Sequence, residues 1–259
     1  MIGAIAGDII GSIYEFNNIK TKDFPLFGEG CCFTDDTVLT IAVAEWSLNG
    51  GDLAARLVDY GRRYPHLSYG GMFQRWLHGH ERKPYNSYGN GSAMRVSPVA
   101  WIASDEDQAA ALAKSSAEVT HNHPEGIKGA QAVALAIWLA LHQTPAEDIR
   151  AVITERFGYD LTESVDSIRE WYRFDETCQG TVPQAIICAL DATDFEDAIR
   201  NAISIGGDSD TVAAITGSIA EALFGVPEEI ETKARSYLTG DLLEVVDRFV
   251  EQVGASKPA

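Results

Sequence analysis

Cysteine and basic residues are scarce in this sequence of 259 residues. The four cysteines, Cys31, Cys32, Cys178 and Cys188, form no C-x-x-C spacing, which argues against a zinc ribbon, a dithiol redox site or a disulfide scaffold. We interpret them as small buried side chains. Lysine and arginine together number 20 against 38 acidic residues, a net charge of −18. Such a surface repels phosphate backbones and anionic lipids, so we expect neither nucleic acid nor a membrane as a partner.

Long hydrophobic runs and linker-like tracts are also missing. The N-terminal stretch "MIGAIAGDIIGSIYEF" is apolar but lacks a basic leader, and Asp8 interrupts it well short of a membrane-spanning length. We therefore expect a cytoplasmic protein. No Pro/Ser-rich or low-complexity segment divides the chain, so the sequence predicts a single domain over residues 1–259. We also expect a monomer.

Strand-like alternation is rare, whereas helical periodicity recurs. Gly3, Gly7 and Gly11 follow one another at intervals of four and share a helix face that another helix can approach closely. The run 131–141 is apolar all round, which predicts a central buried helix. The sequence therefore predicts a compact, orthogonal all-α domain of about ten or more helices whose loops carry the chemistry.

The segment "FTDDT" places Thr34, Asp35 and Asp36 at the start of a predicted helix. Thr34 or Asp35 can cap that helix, and acidic residues in a first turn suit the helix dipole. Capping accounts well for one carboxylate and less well for the second. A functional role for the pair therefore stays open beside the capping interpretation.

A second acidic cluster, Asp208, Asp210 and Thr211, follows a glycine pair at the head of another predicted helix. If the two helix starts meet, four carboxylates converge, and their repulsion calls for cations. Oxygen donors favour Mg²⁺, Mn²⁺ or Ca²⁺, and this many carboxylates suits two ions. Glu15 is a possible fifth carboxylate and a candidate acid/base group, or else an ordinary solvated residue. The sequence thus predicts a binuclear metal site at loop-to-helix junctions.

The segment "NSYGNGSAMRVSP" is punctuated by glycine. Gly89, Asn90 and Gly91 can adopt positive φ and turn backbone N–H groups inward, which would cradle phosphate oxygens. A plain tight turn is an equally good interpretation. Tyr88 could stack on a base, and Arg95 could pair with phosphate or with a carboxylate at the edge of the core.

Two histidines, His121 and His123, precede the predicted central helix. Their spacing is compatible with metal binding, but no third soft ligand lies nearby in the sequence. We therefore interpret them as hydrogen-bonding groups for a substrate or for the acidic clusters.

The motifs together resemble a known family. The stretches "GDIIGSIYE", "FTDDT", "SYGNGSAMR", "TH" followed by "HPEGIKGA", and "GGDSDTVAAITGSIAEALFG" are similar in order and character to those of the ADP-ribosylglycohydrolases, from Gly7 to about Gly225. The resemblance implies an all-α fold with a binuclear Mg²⁺ or Mn²⁺ centre. It also implies a hydrolase that cleaves the glycosidic bond between ADP-ribose and a protein side chain or a small-molecule acceptor. The reaction would release free ADP-ribose.

The resemblance also assigns roles to individual residues. It makes Glu15 a gating or catalytic residue, beside Asp35 and Asp36 as candidate bases, and His121 a histidine near the ligand. The metal ligands would be Thr34, Asp35, Asp36, Asp208, Asp210 and Thr211. The diphosphate and adenosine would be bound by Ser87, Tyr88, Gly89, Asn90 and Gly91. Many members have "GDTD" where this chain has "GDSD", but Ser209 lies between the ligands, so we expect no loss of metal.

Two other functions stay open from sequence. A non-catalytic protein of the same fold that binds ADP-ribose or a nucleotide is the main alternative, and the complete set of metal ligands argues against it. A different Mg²⁺-dependent hydrolase, such as a phosphatase or a nudix-like diphosphatase, has less support, because neither a strand-end acidic nucleophile nor a Glu-rich helix is present.

Overall fold

The computed structural model describes the backbone of residues 1–256 and the side chains of residues 1–254. Within this range the chain forms fifteen α-helices and one 3-10 helix, Ser12–Tyr14, and contains no β-strand. The prediction of an all-α fold is confirmed. No helix of the described range combines the length and the apolar character needed to cross a membrane.

The helices differ widely in length, and the longest lie in the core or at the C-terminal end of the described range. In chain order they are α1 Ile2–Gly11, α2 Asp35–Asn49, α3 Leu53–Arg63, α4 Gly71–His78, α5 Gly91–Met94, α6 Ser97–Ile102, α7 Glu106–Glu118, α8 Pro124–Leu141, α9 Ala146–Phe157, α10 Val165–Trp171, α11 Cys178–Leu190, α12 Phe195–Ile205, α13 Ser209–Phe224, α14 Glu228–Arg235 and α15 Gly240–Ser256.

Helix α13 lies at the centre of the fold. It packs against α1, α8, α11 and α12, and its side chains are buried from Ser209 to Ala220. The predicted central helix corresponds to α8, in which most side chains between residues 132 and 140 are buried. Small and β-branched residues dominate both helices, which lets neighbouring helices pack at short distances.

Helices α1 and α13 form an antiparallel pair in near contact. A Cβ atom on Gly3 would lie 2.1 Å from the carbonyl oxygen of Gly217, and one on Gly11 would lie 2.5 Å from the Cα atom of Asp210. Gly7, between them, is equally restricted. The prediction that these three glycines allow a close helix approach is confirmed. The antiparallel arrangement brings the end of α1 to the beginning of α13.

Three of the four cysteines match their interpretation as buried side chains, and one does not. Cys31, Cys178 and Cys188 are buried, whereas Cys32 is exposed, and all four are free thiols. The backbone N–H of Cys32 donates to the hydroxyl of Ser12 in a surface loop. This loop position leaves the Cys32 side chain in solvent.

Candidate active site

One cavity of about 390 Å³ brings the sequence motifs together. The starts of α2 and α13 form one part of its wall. Residues 86–91, which we call the glycine-containing loop, lead into α5 and form another part. The lining includes every predicted site residue except Thr34: Glu15, Asp35, Asp36, Ser87, Tyr88, Gly89, Asn90, Gly91, His121, Asp208, Asp210 and Thr211. Their roles as catalytic residues and ligands stay predictions. Arg95, for which the sequence offered phosphate or a carboxylate as partner, also lines the cavity, and other parts of the wall come from segments without a predicted role, including α4 and residues 176–177.

Acidic side chains meet at the base of this cavity. Glu15, Asp208 and Asp210 each place one carboxylate oxygen within 4.8 Å of the other two. Asp35 and Asp36 line the same cavity. We call these five residues the acidic cluster. None of its members takes part in a salt bridge within the described part of the chain, so no side-chain cation offsets their mutual repulsion.

Burial and mutual repulsion disfavour the charged forms of the acidic cluster. Burial, followed by the neighbouring carboxylates, raises the pKa of Glu15 to about 7 and that of Asp35 to about 7. Burial raises the pKa of Asp208 to about 6, against the hydrogen bond that it accepts from Asn90. Burial and the neighbouring carboxylates also raise the pKa values of Asp36 and Asp210 well above the usual range.

The side-chain oxygen atoms of the acidic cluster are suitable ligands for a divalent cation. Asp36 Oδ2 is buried and has no hydrogen-bond partner among the residues that the structure describes. A buried carboxylate oxygen without a donor is costly unless a cation is bound beside it. The ligand atoms that these side chains offer to a metal are all oxygen, which hard cations such as Mg²⁺ and Mn²⁺ prefer. The residues present are therefore chemically suited to the metal that the sequence predicts.

Thr34 caps α2, as one of the two sequence interpretations requires. Its hydroxyl accepts the backbone N–H of Asp36 at 3.2 Å and donates to Asp8 Oδ1 at 2.6 Å. Thr34 thus uses its hydroxyl within the protein, and metal binding by Thr34 stays a prediction. The capping role explains one residue of "FTDDT" and leaves both aspartates available to the cavity.

Asp8 is a structural residue of this site that the sequence interpretation missed. Its side chain is fully buried and accepts the backbone N–H groups of Thr34 and Thr37, at 2.9 and 3.2 Å, and both hydroxyls. It thereby connects α1 to the first turn of α2, which carries Asp35 and Asp36.

Pairing with a distant segment fixes the glycine-containing loop. Gly89 forms a β-bridge with Thr177, and the backbone N–H of Asn90 donates to Glu176 O at 2.7 Å. Asn90 Nδ2 donates to Asp208 Oδ2, also at 2.7 Å, and so joins the loop to the acidic cluster. The loop therefore lies where it can contact a ligand that also reaches the acidic cluster.

The expectation of positive φ at residues 89–91 is wrong. Asn90 has φ −70°, and neither Gly89 nor Gly91 is among the residues with positive φ; the positive φ of this segment lies at Asn86, with φ 55°. Close packing explains the glycine at position 91, because a Cβ atom there would lie 3.2 Å from His121 Nε2. The bridge to Thr177 holds the loop in an extended form that a local pattern could not reveal.

The two histidines have different environments. His121 is buried below the loop, and burial, with a smaller contribution from Arg95, holds its pKa well below the usual value, so the ring is neutral. His123 instead caps α8, because its Nδ1 accepts the backbone N–H of Glu125 at 3.1 Å. The interpretation of His123 as a group for the substrate or the acidic clusters is wrong. Tyr88 is about half exposed beside the His123 ring, and base stacking by Tyr88 stays a prediction.

Comparison with known proteins agrees with the resemblance seen in the motifs. The model of the family described as ADP-ribosylglycohydrolase matches residues 1–259. The chain belongs to the ADP-ribosylglycohydrolase family. Membership confirms the prediction of an enzyme that hydrolyses glycosyl bonds.

Relatives of this family cover most of the chain. ADP-ribosylhydrolase ARH3 of Bos taurus is 27% identical over 94% of this chain and 89% of the relative. ADP-ribosylarginine hydrolase Tri1 of Pseudomonas putida (strain GB-1) is 26% identical over 91% of this chain and 73% of the relative. A solved structure described as an ADP-ribosylglycohydrolase-related protein complex is similar with a TM-score of 0.71, at 23% identity over 99% of this chain and 97% of that chain. At that identity the structural likeness shows the fold.

Proposed function

We propose that this enzyme uses divalent cations to hydrolyse the bond between the C1″ atom of ADP-ribose and an acceptor, and that it releases ADP-ribose. The acceptor is a protein side chain or a small molecule. The observation that carries the proposal is the meeting of the acidic cluster and the glycine-containing loop in one cavity. The relatives named ADP-ribosylhydrolase ARH3 and ADP-ribosylarginine hydrolase Tri1 support the choice of ADP-ribose.

Side chains at the starts of α2 and α13 would hold the cations. We assign this role to Thr34, Asp35, Asp36, Asp208, Asp210 and Thr211, and we propose two ions, Mg²⁺ or Mn²⁺. Bound there, divalent cations polarise oxygen atoms, make water more acidic and orient the ribose. They would also offset the negative field that a diphosphate meets on approaching a protein of net charge −18.

Proton transfer is assigned to carboxylates of the acidic cluster. Glu15 is partly exposed and has a carboxylate oxygen within 4.8 Å of Asp208 and Asp210 oxygens, so it can reach a water molecule beside the proposed ligands. Its role is to accept a proton from the attacking water as the water oxygen bonds to C1″ and the bond from C1″ to the acceptor breaks. The proton then passes to the departing acceptor. Asp35, whose pKa is also about 7, and Asp36 are the alternative bases.

The glycine-containing loop is assigned to the ADP part of the ligand. Residues 87–91 would contact the diphosphate and the adenosine, with His121 below them. The Asn90 hydrogen bond to Asp208 supports this assignment, because it sets the spacing between the loop and the acidic cluster. We further propose that the protein acts as a cytoplasmic monomer with a single domain over residues 1–259.

Product analysis tests the proposed function. The purified protein is incubated with Mg²⁺ or Mn²⁺ and a panel of defined substrates that carry ADP-ribose on arginine, on serine or as an O-acetyl ester. Free ADP-ribose is the expected product, and the panel identifies the acceptor. Release of AMP would indicate a diphosphatase instead. Tight binding of ADP-ribose without turnover of any substrate would favour the non-catalytic alternative.

A further inference from the structure

A chain of hydrogen bonds connects a buried arginine to the histidine below the loop. Arg95 is fully buried, and its Nη2 donates to the carbonyl oxygen of Ser116 and to Thr120 Oγ1, both at 2.8 Å. No salt bridge of the described residues includes Arg95, so the carboxylate alternative is not found, and pairing with phosphate stays a prediction. Thr120 Oγ1 in turn lies 2.7 Å from Nδ1 of His121.

The protons that these groups carry limit the direction of this chain. A guanidinium group can only donate hydrogen bonds, so the Thr120 hydroxyl accepts from Arg95. The Tyr85 hydroxyl also interacts with Thr120, and a tyrosine hydroxyl can donate or accept. When Tyr85 donates, the single hydroxyl proton of Thr120 is left for Nδ1 of His121. A neutral imidazole that accepts at Nδ1 carries its proton on Nε2.

The Nε2 edge of His121 faces the cavity. Cβ atoms built on Gly91 and Gly89 would lie 3.2 and 3.6 Å from Nε2, so the ring nitrogen is directly below the loop. His121 lines the cavity, and within the described chain Nε2 has no hydrogen-bond partner. The proton on Nε2 is thus the part of the ring that a ligand can reach.

We propose that Arg95 and Thr120 are positioning residues that hold His121 as the Nε2–H tautomer and direct this proton at an oxygen atom of the ligand diphosphate. The identity of the ligand rests on the proposed function, whereas the tautomer does not. Thr120 does not line the cavity and acts only through His121, whereas Arg95 also lines the cavity.

The tautomer can be measured in the ligand-free protein. Long-range ¹H–¹⁵N spectra of protein labelled at its six histidines distinguish the two neutral forms, and a His121→Gln variant assigns the signal. We expect the Nε2–H pattern for His121 in wild type and in Thr120→Ser, which keeps the hydroxyl. Thr120→Val should show both tautomers, because Nδ1 then has no donor. An Nδ1–H pattern for His121 in wild type would overturn the proposal.

Binding of ADP-ribose measures the consequence for the ligand. Loss of one oriented hydrogen bond should weaken binding of ADP-ribose by Thr120→Val about three- to tenfold in titration calorimetry. Thr120→Ser should restore it, and Thr154→Val, on the exposed side of α9, is the matched control. Unchanged affinity in a folded Thr120→Val protein would overturn the positioning role. Wild-type protein that does not bind ADP-ribose would contradict the proposed function, and the ligand-free spectrum would still decide the tautomer.

Discussion

Glu15 and Asp35 are the two partly buried members of the acidic cluster. Asp208 and Asp210 are buried, whereas Glu15 is only partly buried and lies where α1 has given way to a short 3-10 turn. Replacement by Gln removes the proton acceptor and keeps the size of the side chain. We expect Glu15→Gln to lower kcat by about two to four powers of ten. Titration with ADP-ribose should give nearly wild-type affinity, because we assign those contacts to the loop at residues 87–91.

The matched control for Glu15→Gln is Glu170→Gln, which changes an exposed glutamate of α10. This control should leave kcat unchanged. Loss of both ADP-ribose binding and metal binding in Glu15→Gln would show that Glu15 is a structural ligand. The base would then be Asp35 or Asp36.

Asp8 supports the site without lining it. Asn at this position has nearly the same shape but places an amide group against backbone N–H and hydroxyl donors, so some of the four hydrogen bonds from Thr34 and Thr37 are lost. Burial raises the pKa of Asp8 against these four hydrogen bonds, so removal of its charge offsets part of their loss. We expect Asp8→Asn to lower the free energy of unfolding by about 2–4 kcal/mol. Urea unfolding in EDTA measures this, and an unchanged midpoint would contradict the assigned role.

Residue type made the acidic cluster predictable and left Asp8 unassigned. Paired aspartates at two helix starts are unusual enough in a sequence to indicate a shared site. The role of Asp8 depends on how α1 lies against α2, which the sequence of α1 does not contain. Glu176, in the cavity wall, was missed for the same reason, because only the pairing with the loop brings it there.

At the level of elements, the contact between α1 and α13 controls the geometry of the acidic cluster. A methyl group on Gly7 would lie 2.0 Å from the carbonyl oxygen of Ala213, so Gly7→Ala must move two helix backbones apart. We expect a loss of about 3 kcal/mol or more in stability and weaker Mn²⁺ binding, because Glu15 and Asp210 lie on opposite sides of this contact. Thermal unfolding and metal titration measure the two effects.

Gly254→Ala is the matched control for this prediction, because Gly254 lies in helix α15 and a methyl group added there would meet no atom within 4 Å. It should be neutral or slightly stabilising, since alanine favours a helix over glycine by about 1 kcal/mol. A Gly7→Ala protein with wild-type stability would show that the two helices can separate freely.

The elements also show why some patterns predict structure and others do not. Glycines spaced by four define a helix face, because the α-helix repeats every 3.6 residues, and so the α1 contact could be predicted. The conformation of the loop at residues 86–91 depends on a β-bridge to a residue about 90 positions away, so a glycine-based local rule gave the wrong φ values. Local sequence determines helices better than it determines loops that pair over long distances.

For the whole molecule, stability and cation binding are coupled through the acidic cluster. Several carboxylates are held together inside a protein whose net charge is already −18, and no side chain of the described residues forms a salt bridge with them. Protons or divalent cations can each relieve this repulsion. The two should therefore compete, and the stability of the molecule should depend on both.

The sign of the pH dependence follows from the pKa values. Glu15 and Asp35 have pKa values of about 7 in the folded protein, and Asp208 about 6, against usual values of 4.5 for Glu and 3.8 for Asp. Between pH 5 and pH 7 the folded state therefore binds more protons at these groups than the unfolded state. Their contribution to stability is present at pH 5 and is lost as the pH rises through about 7.

We accordingly expect the melting temperature in EDTA to fall as the pH rises from 5 to 8. Saturating Mg²⁺ or Mn²⁺ should raise it at pH 8 and have much less effect at pH 5, because protonated carboxylates bind cations poorly. Asp210→Asn removes one charge from the acidic cluster, so it should flatten the pH dependence and abolish the response to cations together. Scanning calorimetry at four pH values, with and without cation, measures all three. Two results would contradict a metal site at the acidic cluster. One is a melting temperature that does not change when cations are added at pH 8, and the other is a melting temperature that rises between pH 5 and pH 8 in EDTA.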